Sequence, residues 1–453
     1  MKKFFFKSSA LALMAGVFLT SCDPDIDTPA ASSGEADFST YVALGNSLTA
    51  GFQDGALYRE GQLNSYPAIL AEQFRNVGGG EFNQPLFAEG VSAGSPRMIA
   101  PNTFVVPPRL VLGPSTDCRN ETSIGPVLSG PVGNLTVFAP LTGSTKYNNL
   151  GVPGARSFHL PANGYGSAAG NPFFARFATS ATTSVLADAM AQNPTFFTLW
   201  IGNNDVLGYA TAGGVDDQIT PEATFEGSIK ATLAQLTSNG AKGVVGNIPD
   251  VSKIPFFTTV PYNGLVLNAA QAQGLTAAYK PLNDAYKQAG IPYELKFAEG
   301  PNPFVIKENG VVRQLKAGEY VALTIPQDSL KCFGLGSQLP IADKHILSEE
   351  EVLNVRNATT SFNNILKAEA DRLGLGYADF NTYLNKLSDG FSQNGVNYNS
   401  VLVTGNAFSL DGIHFTPRGA ALVANEFIRV INDKYNARIP KVDETQYRTV
   451  RLP

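Results

Sequence analysis

Four short stretches hold residue types that could cooperate in nucleophilic catalysis. In Ala43-Leu44-Gly45-Asn46-Ser47-Leu48-Thr49-Ala50-Gly51, a serine lies between glycines directly after an apolar run. A serine so placed stands at a sheet's carboxyl edge, and a helix starting there turns free N–H groups toward a developing oxyanion. Much further on comes Asp411-Gly412-Ile413-His414. Asp and His three apart, with a glycine between, fold into one turn that brings the carboxylate to imidazole Nδ1. Nε2 is then left to accept a serine proton. The chain has 3 histidines, and only His414 has an acid so placed. His159 follows a loop with no acid nearby, and His345, beside Asp343 and Lys344, reads as a solvated surface residue. Ile201-Gly202-Asn203-Asn204-Asp205 and Asn149-Leu150-Gly151-Val152-Pro153-Gly154-Ala155-Arg156-Ser157 supply asparagine amides and glycine N–H groups, the donors an oxyanion hole needs. Taken singly, each of the four stretches also reads as an ordinary turn or loop.

The elements that must position them are strands followed by helices. An apolar run over 40–44 breaks at Gly45, one over 195–201 ends at Gly202, and one over 243–248 reads as a third strand. Ser65-Tyr66-Pro67 is a cap with proline in the first turn, opening a helix through Phe74. Further helices are expected over 184–192 and from Thr220-Pro221 through Ser238. Ser348 and Glu351 form a capping box before Val352, Val355, Phe362 and Leu366 at helical spacing. Tyr377-Ala378-Asp379-Phe380 is expected as a short strand, and Thr416-Pro417 opens the last helix. Strand–helix alternation predicts an α/β fold, with three layers and a central parallel sheet covered on both faces. Functional groups of such folds gather at the strands' carboxyl ends. Residues 75–146 and 256–345 break the pattern with Gly/Pro-rich segments, the second with expected hairpins and one helical piece over 269–288, and are expected as two large insertions.

In block order, Gly-Asn-Ser-Leu, the glycine motif, Gly-Asn-Asn-Asp and Asp-Gly-Ile-His resemble the SGNH (GDSL-type) hydrolases. The resemblance covers roughly residues 38–74, 147–255 and 346–435, and it implies an SGNH/flavodoxin-like sheet. It implies Ser47 as nucleophile and His414 as general base oriented by Asp411, with oxyanion donors from the Ser47 N–H, the Gly154 N–H and the Asn204 side chain. Gly154 is preferred to Gly151 because Gly-Ala-Arg-Ser best matches the segment after the family's donor glycine. The family's usual aspartate before the serine is Asn46 here, which leaves catalysis intact and the local hydrogen bonding open. The activity implied is hydrolysis of carboxylic esters through an acyl-enzyme, with no cofactor and no metal. The apolar Ile254-Pro255-Phe256-Phe257 fits acyl chains or core packing, so a lipase or esterase is expected first. A carbohydrate (acetyl) esterase on glycans is the alternative, and a non-catalytic surface protein binding glycan or lipid is the alternative of another class.

The start of the chain is a targeting segment. Lys2, Lys3 and Lys7 precede an apolar stretch over 10–19, too short to span a bilayer, which needs about 20 residues. Leu19-Thr20-Ser21-Cys22 resembles the lipobox of bacterial lipoproteins, which implies cleavage after residue 21 and a lipid on Cys22. Residues 22–37, rich in Asp, Pro, Ser and Ala, read as a flexible tether. The acids behind Cys22 resemble the export signal of surface-displayed lipoproteins in Bacteroidetes-type bacteria. An exported protein, anchored in the outer membrane through Cys22, is expected. The hydrolase domain is expected over 38–440, with a tail over 441–453. Cleavage removes three lysines and no acid, moving the net charge from −5 to −8. An acidic body without a basic run argues against nucleic acid as partner. Besides Cys22 only Cys118 and Cys332 occur, and the sequence leaves open whether they are bonded or are two free thiols.

Overall fold

The computed structural model describes residues 30–143, 146–167 and 169–453. The leader, Cys22 and the first part of the tether lie outside the described residues. Ala31–Pro453 forms one compact unit. Its centre is a sheet of five parallel strands, β1 (Tyr41–Gly45), β2 (Asn149–Gly151), β3 (Phe196–Trp200), β4 (Lys242–Gly246) and β5 (Gly376–Ala378), in the order β5-β4-β3-β1-β2. Tyr41 pairs with Phe196, Ala43 with Asn149, Phe196 with Lys242, and Val244 with Gly376.

Side chains alternate across a strand, so each strand feeds two cores. Val42, Leu44, Phe197, Leu199 and Val245 point into one, and Tyr41, Ala43, Phe196, Trp200 and Val244 into the other. The helices are α1 (Ser47–Ala50), α2 (Tyr66–Arg75), α3 (Val185–Met190), α4 (Asn203–Thr211), α5 (Glu222–Leu236), α6 (Ala269–Ala289), α7 (Glu349–Arg372) and α8 (Pro417–Tyr435), with shorter pieces between. On the first face α5 and α7 meet through stacked Phe225 and Phe362, with ring centroids 4.0 Å apart. On the second, α2 and α8 meet through stacked Tyr66 and Phe427, 4.9 Å apart. The three-layer α/β/α arrangement expected from strand–helix alternation is thus formed, because each helix has one apolar stripe to bury.

Ser348 and Glu351 cap α7 reciprocally, with the Ser348 N–H donating to Glu351 Oε2 at 2.7 Å. Two local expectations are corrected. The strand expected over 377–380 is displaced to Gly376–Ala378, because the Asp379 carboxylate accepts the Thr382 N–H at 3.0 Å and Phe380 already opens a helix. Residues 31–37 are also not loose tether. Ser32 and Arg438 exchange backbone hydrogen bonds, the Glu35 N–H donates to Tyr435 O at 2.8 Å, and Ala36 is buried.

The stretches outside the central sheet carry small sheets of their own. The Leu110–Thr116 and Thr122–Leu128 strands form a hairpin in the first stretch, and Val305–Glu308 pairs with Val311–Gln314 in the second. A disulfide between Cys118 and Cys332 joins the tip of that hairpin to the end of a short helix, Gln327–Cys332. Among the described residues no helix is long and apolar enough to cross a membrane.

Candidate active site

Ser47, Gly154 and Asn204 follow the carboxyl ends of β1, β2 and β3, and Asp411 and His414 precede α8. Ser47 opens α1 two residues past β1, so its N–H has no partner within the helix. Asn46 caps that helix. Its side-chain oxygen accepts the Leu48 N–H at 3.0 Å, and its amide donates to Asn203 Oδ1 at 3.1 Å. The asparagine that departs from the family pattern therefore ties the serine turn to the start of α4.

His414 reaches across from the loop before α8. Its Nε2 lies 2.8 Å from Ser47 Oγ, and its Nδ1 lies 2.9 Å from Asp411 Oδ2. Both distances fall within the reach of a nucleophile–base–orienter chain. The same carboxylate accepts N–H groups from Ile413 and His414 at 2.9 Å each, from Gly55 at 2.8 Å, and the Ser409 hydroxyl at 3.1 Å. Burial opposes its charge, but the charge of His414 and the hydrogen bonds from His414 and Ile413 outweigh burial and hold Asp411 well below the usual carboxylate range. Phe52 packs against the imidazole, with ring centroids 4.7 Å apart.

Asn204 lines the same pocket as Ser47 and His414. Its amide nitrogen gives one hydrogen to Ala155 O at 2.9 Å, and an amide carries two. Gly154 is placed differently. It is exposed, does not line that pocket, and its N–H meets no acceptor among the described residues. Its φ of +79° is the left-handed conformation that glycine tolerates at little cost. Two ties hold the Gly154 segment beside Asn204: the Ala155 carbonyl just given, and buried Asp205, which accepts the Ser157 N–H at 2.9 Å and hydroxyl at 2.6 Å.

Sequence reading missed the support behind Asp411. Asp54 accepts the Leu410 N–H at 3.1 Å and the Tyr58 hydroxyl at 2.8 Å, while its own N–H donates to Ser409 Oγ at 2.9 Å. Arg448 in turn donates to Tyr58 Oη at 3.1 Å and to Glu60 at 2.6 Å. Burial, joined by the charge of Asp411, raises the Asp54 pKa against its hydrogen bonds. The one sequence signal was the Asp54-Gly55 turn, where Asp54 takes a φ of 53°.

The pocket over Ser47 is mainly apolar, walled by Leu48, Leu207, Val251, Ile254, Leu387 and Ile413, with a volume of about 50 Å³. His159 stands apart from it. Its Nδ1 accepts the Arg156 N–H at 3.0 Å, and its ring stacks on Tyr165 with centroids 4.7 Å apart.

The fold is thus a three-layer α/β/α protein with a hydrogen-bonded serine, histidine and aspartate gathered at the carboxyl edge of its parallel sheet. The chain matches the GDSL-like lipase/acylhydrolase family model over residues 41–427. It belongs to that family and is a hydrolase. Among curated proteins none matches it. Of solved structures, it is similar to LAE5, an alpha/beta hydrolase enzyme from the metagenome of Lake Arreo, Spain, at 12% identity and a TM-score of 0.36, covering 88% of this chain and 96% of that one. It is also similar to an extracellular lipase from Streptomyces rimosus, at 13% identity and a TM-score of 0.32, covering 87% and 98%.

Proposed function

We propose that the protein hydrolyses carboxylic esters, with Ser47 as nucleophile. The observation that carries this reading is the unbroken chain from Ser47 Oγ to His414 Nε2 at 2.8 Å and from His414 Nδ1 to Asp411 at 2.9 Å. Ser47 Oγ attacks the ester carbonyl while His414 Nε2 takes its proton. The Ser47 N–H and the second amide hydrogen of Asn204 receive the negative oxygen, and the Gly154 N–H, which has no acceptor among the described residues, is the third donor of this proposal. His414 hands the proton to the departing alkoxide, leaving an acyl-serine. Water, deprotonated by the same nitrogen, releases the acid. Charged Asp411 keeps the proton on Nδ1 and stabilises the imidazolium.

The pocket favours an acyl group over a sugar on the acid side, because its walls are apolar. At about 50 Å³ it has room for only a few water-sized units, each needing roughly 10–15 Å³. A short acyl group fits. The same observation favours a second reading, removal of acetyl groups from glycans, with the sugar held outside the pocket.

Export with a lipid on Cys22 belongs to this proposal. The Cys118–Cys332 bond supports it, since such bonds persist outside the reducing cytosol. Incorporation of labelled fatty acid into the full chain, absent in Cys22→Ser, is the expected result.

The function is tested with p-nitrophenyl esters from acetate to palmitate on residues 23–453, which keep the hydrogen bonds of Ser32 and Glu35 with Arg438 and Tyr435, beside Ser47→Ala. Turnover that peaks at short chains and falls by on the order of 10³-fold or more in the variant is expected. No turnover by the unsubstituted protein, together with no fluorophosphonate label on Ser47, would sink the reading and leave a surface binding protein.

A further inference from the structure

A second, larger cleft lies on the other side of the catalytic turn. Its walls include Phe256, Leu265 and Leu323 from residues 256–345, Leu110 from the first hairpin, and Leu410 and Ile413 from the turn itself. Ile413 lines both spaces, so the turn between Asp411 and His414 is the partition. The cleft measures about 950 Å³ against about 50 Å³ over Ser47, the upper part of the range for small-molecule sites.

Two cations, Arg119 and Lys331, stand at this apolar space. Lys331 Nζ meets Asp117 at 3.2 Å. Arg119 gives one N–H to the Lys331 carbonyl at 2.6 Å, and no carboxylate among the described residues pairs with it. Each cation is the chain neighbour of one bridged cysteine, so the Cys118–Cys332 bond fixes where they stand. Asp411 is the one acid among the lining residues, and its oxygens are already taken by His414, Ile413, Gly55 and Ser409. Apolar walls and an unpaired guanidinium are complementary to one chemistry, an alkyl tail ending in an anion.

We infer that this cleft binds a fatty-acid anion, with the tail along the apolar walls and the carboxylate on the Arg119 guanidinium. The site is separate from the pocket over Ser47 and does not depend on the proposed hydrolysis, because a carboxylate is not turned over by a serine esterase.

Calorimetric titration of the protein with hexanoate, octanoate and decanoate tests it. Affinity is expected to rise roughly fourfold per CH₂, with decanoate binding at least tenfold more tightly than decanol. Arg119→Gln should weaken decanoate at least tenfold, and Thr324→Trp, at an exposed lining position, should narrow the cleft and weaken binding of the longer chains. Protein labelled on Ser47 by a fluorophosphonate should bind decanoate as before. Equal affinity for decanoate and decanol, or unchanged binding in Arg119→Gln, would overturn the inference. So would loss of binding on labelling Ser47, because the ligand would then sit in the catalytic pocket. If Thr324→Trp fails to fold, the Arg119→Gln and labelling experiments decide.

Discussion

At the scale of single residues, the site is a chain of buried acids behind one imidazole. Asp411→Asn keeps the shape but removes the charge that holds the proton on His414 Nδ1, so kcat for a p-nitrophenyl ester should fall on the order of 10⁴-fold. Asp54 acts at one remove. Replacing it with alanine leaves the Leu410 N–H and the Tyr58 hydroxyl without their acceptor, costing about 1–3 kcal/mol for each buried group. Because Asp54 holds the turn that carries Asp411 and does not line the pocket over Ser47, kcat should drop while KM stays nearly constant; a shift confined to KM would contradict this. His159 contributes to acid stability. Burial, and then the charge of Arg156, lower its pKa from 6.5 to about 4. Between those values the unfolded chain binds a proton that the folded chain refuses, so this contribution is whole above pH 6.5 and is lost as pH falls toward 4. Urea unfolding at pH 7 and pH 4.5 should show about one fewer linked proton in His159→Gln. The serine, histidine and aspartate were legible because each lies in a contiguous motif beside a strand or helix end. Asp54, Tyr58 and Arg448 were not, because their pairings span up to 390 residues and no local pattern announces them.

At the scale of elements, precision at Ser47 depends on how closely α1 and β2 approach. A Cβ added at Gly151 would stand 2.2 Å from the Ala50 nitrogen and 2.6 Å from the Thr49 carbonyl carbon. Backbone cannot yield to that without moving, so Gly151→Ala should part helix from strand and carry Ser47 with it. Displacements of about 1 Å near reacting groups cost on the order of 10²-fold in rate. We expect a loss of that size with a lower melting temperature; full activity would show that α1 is free to slide. Hydrophobic runs marked β1, β3 and β4, since strands buried on both faces are apolar throughout. β2 carries no such run: its three residues, Asn-Leu-Gly, have the composition of a loop. Its asparagine is spent on hydrogen bonds, donating to Thr49 O at 3.0 Å and accepting the Gly151 N–H at 3.0 Å. The fifth strand was misplaced by the aromatic Phe380, a β-favouring residue overruled by the Asp379 cap.

At the scale of the whole molecule, the disulfide links two stretches 214 residues apart in sequence. Closing a loop of that length restricts the unfolded chain, and Cys118→Ser should cost about 2–4 kcal/mol, read as a lower urea midpoint than the oxidised protein has. A midpoint unmoved by the substitution or by reductant would mean that the two stretches hold together without it. Cysteine count alone left this pairing open, since spacing along the chain says nothing of proximity in space. Another long-range pairing has a different consequence. Ser32 and Glu35 are fastened to Arg438 and Tyr435 at the far end of α8, whose near end follows His414. Nineteen residues of helix, about 28 Å at 1.5 Å each, separate that point of entry from the turn that carries His414. The residue at which the chain enters the fold, Ser32, and the turn that carries His414 therefore stand at opposite ends of one rigid helix, so a graft at the first can leave the second unobstructed.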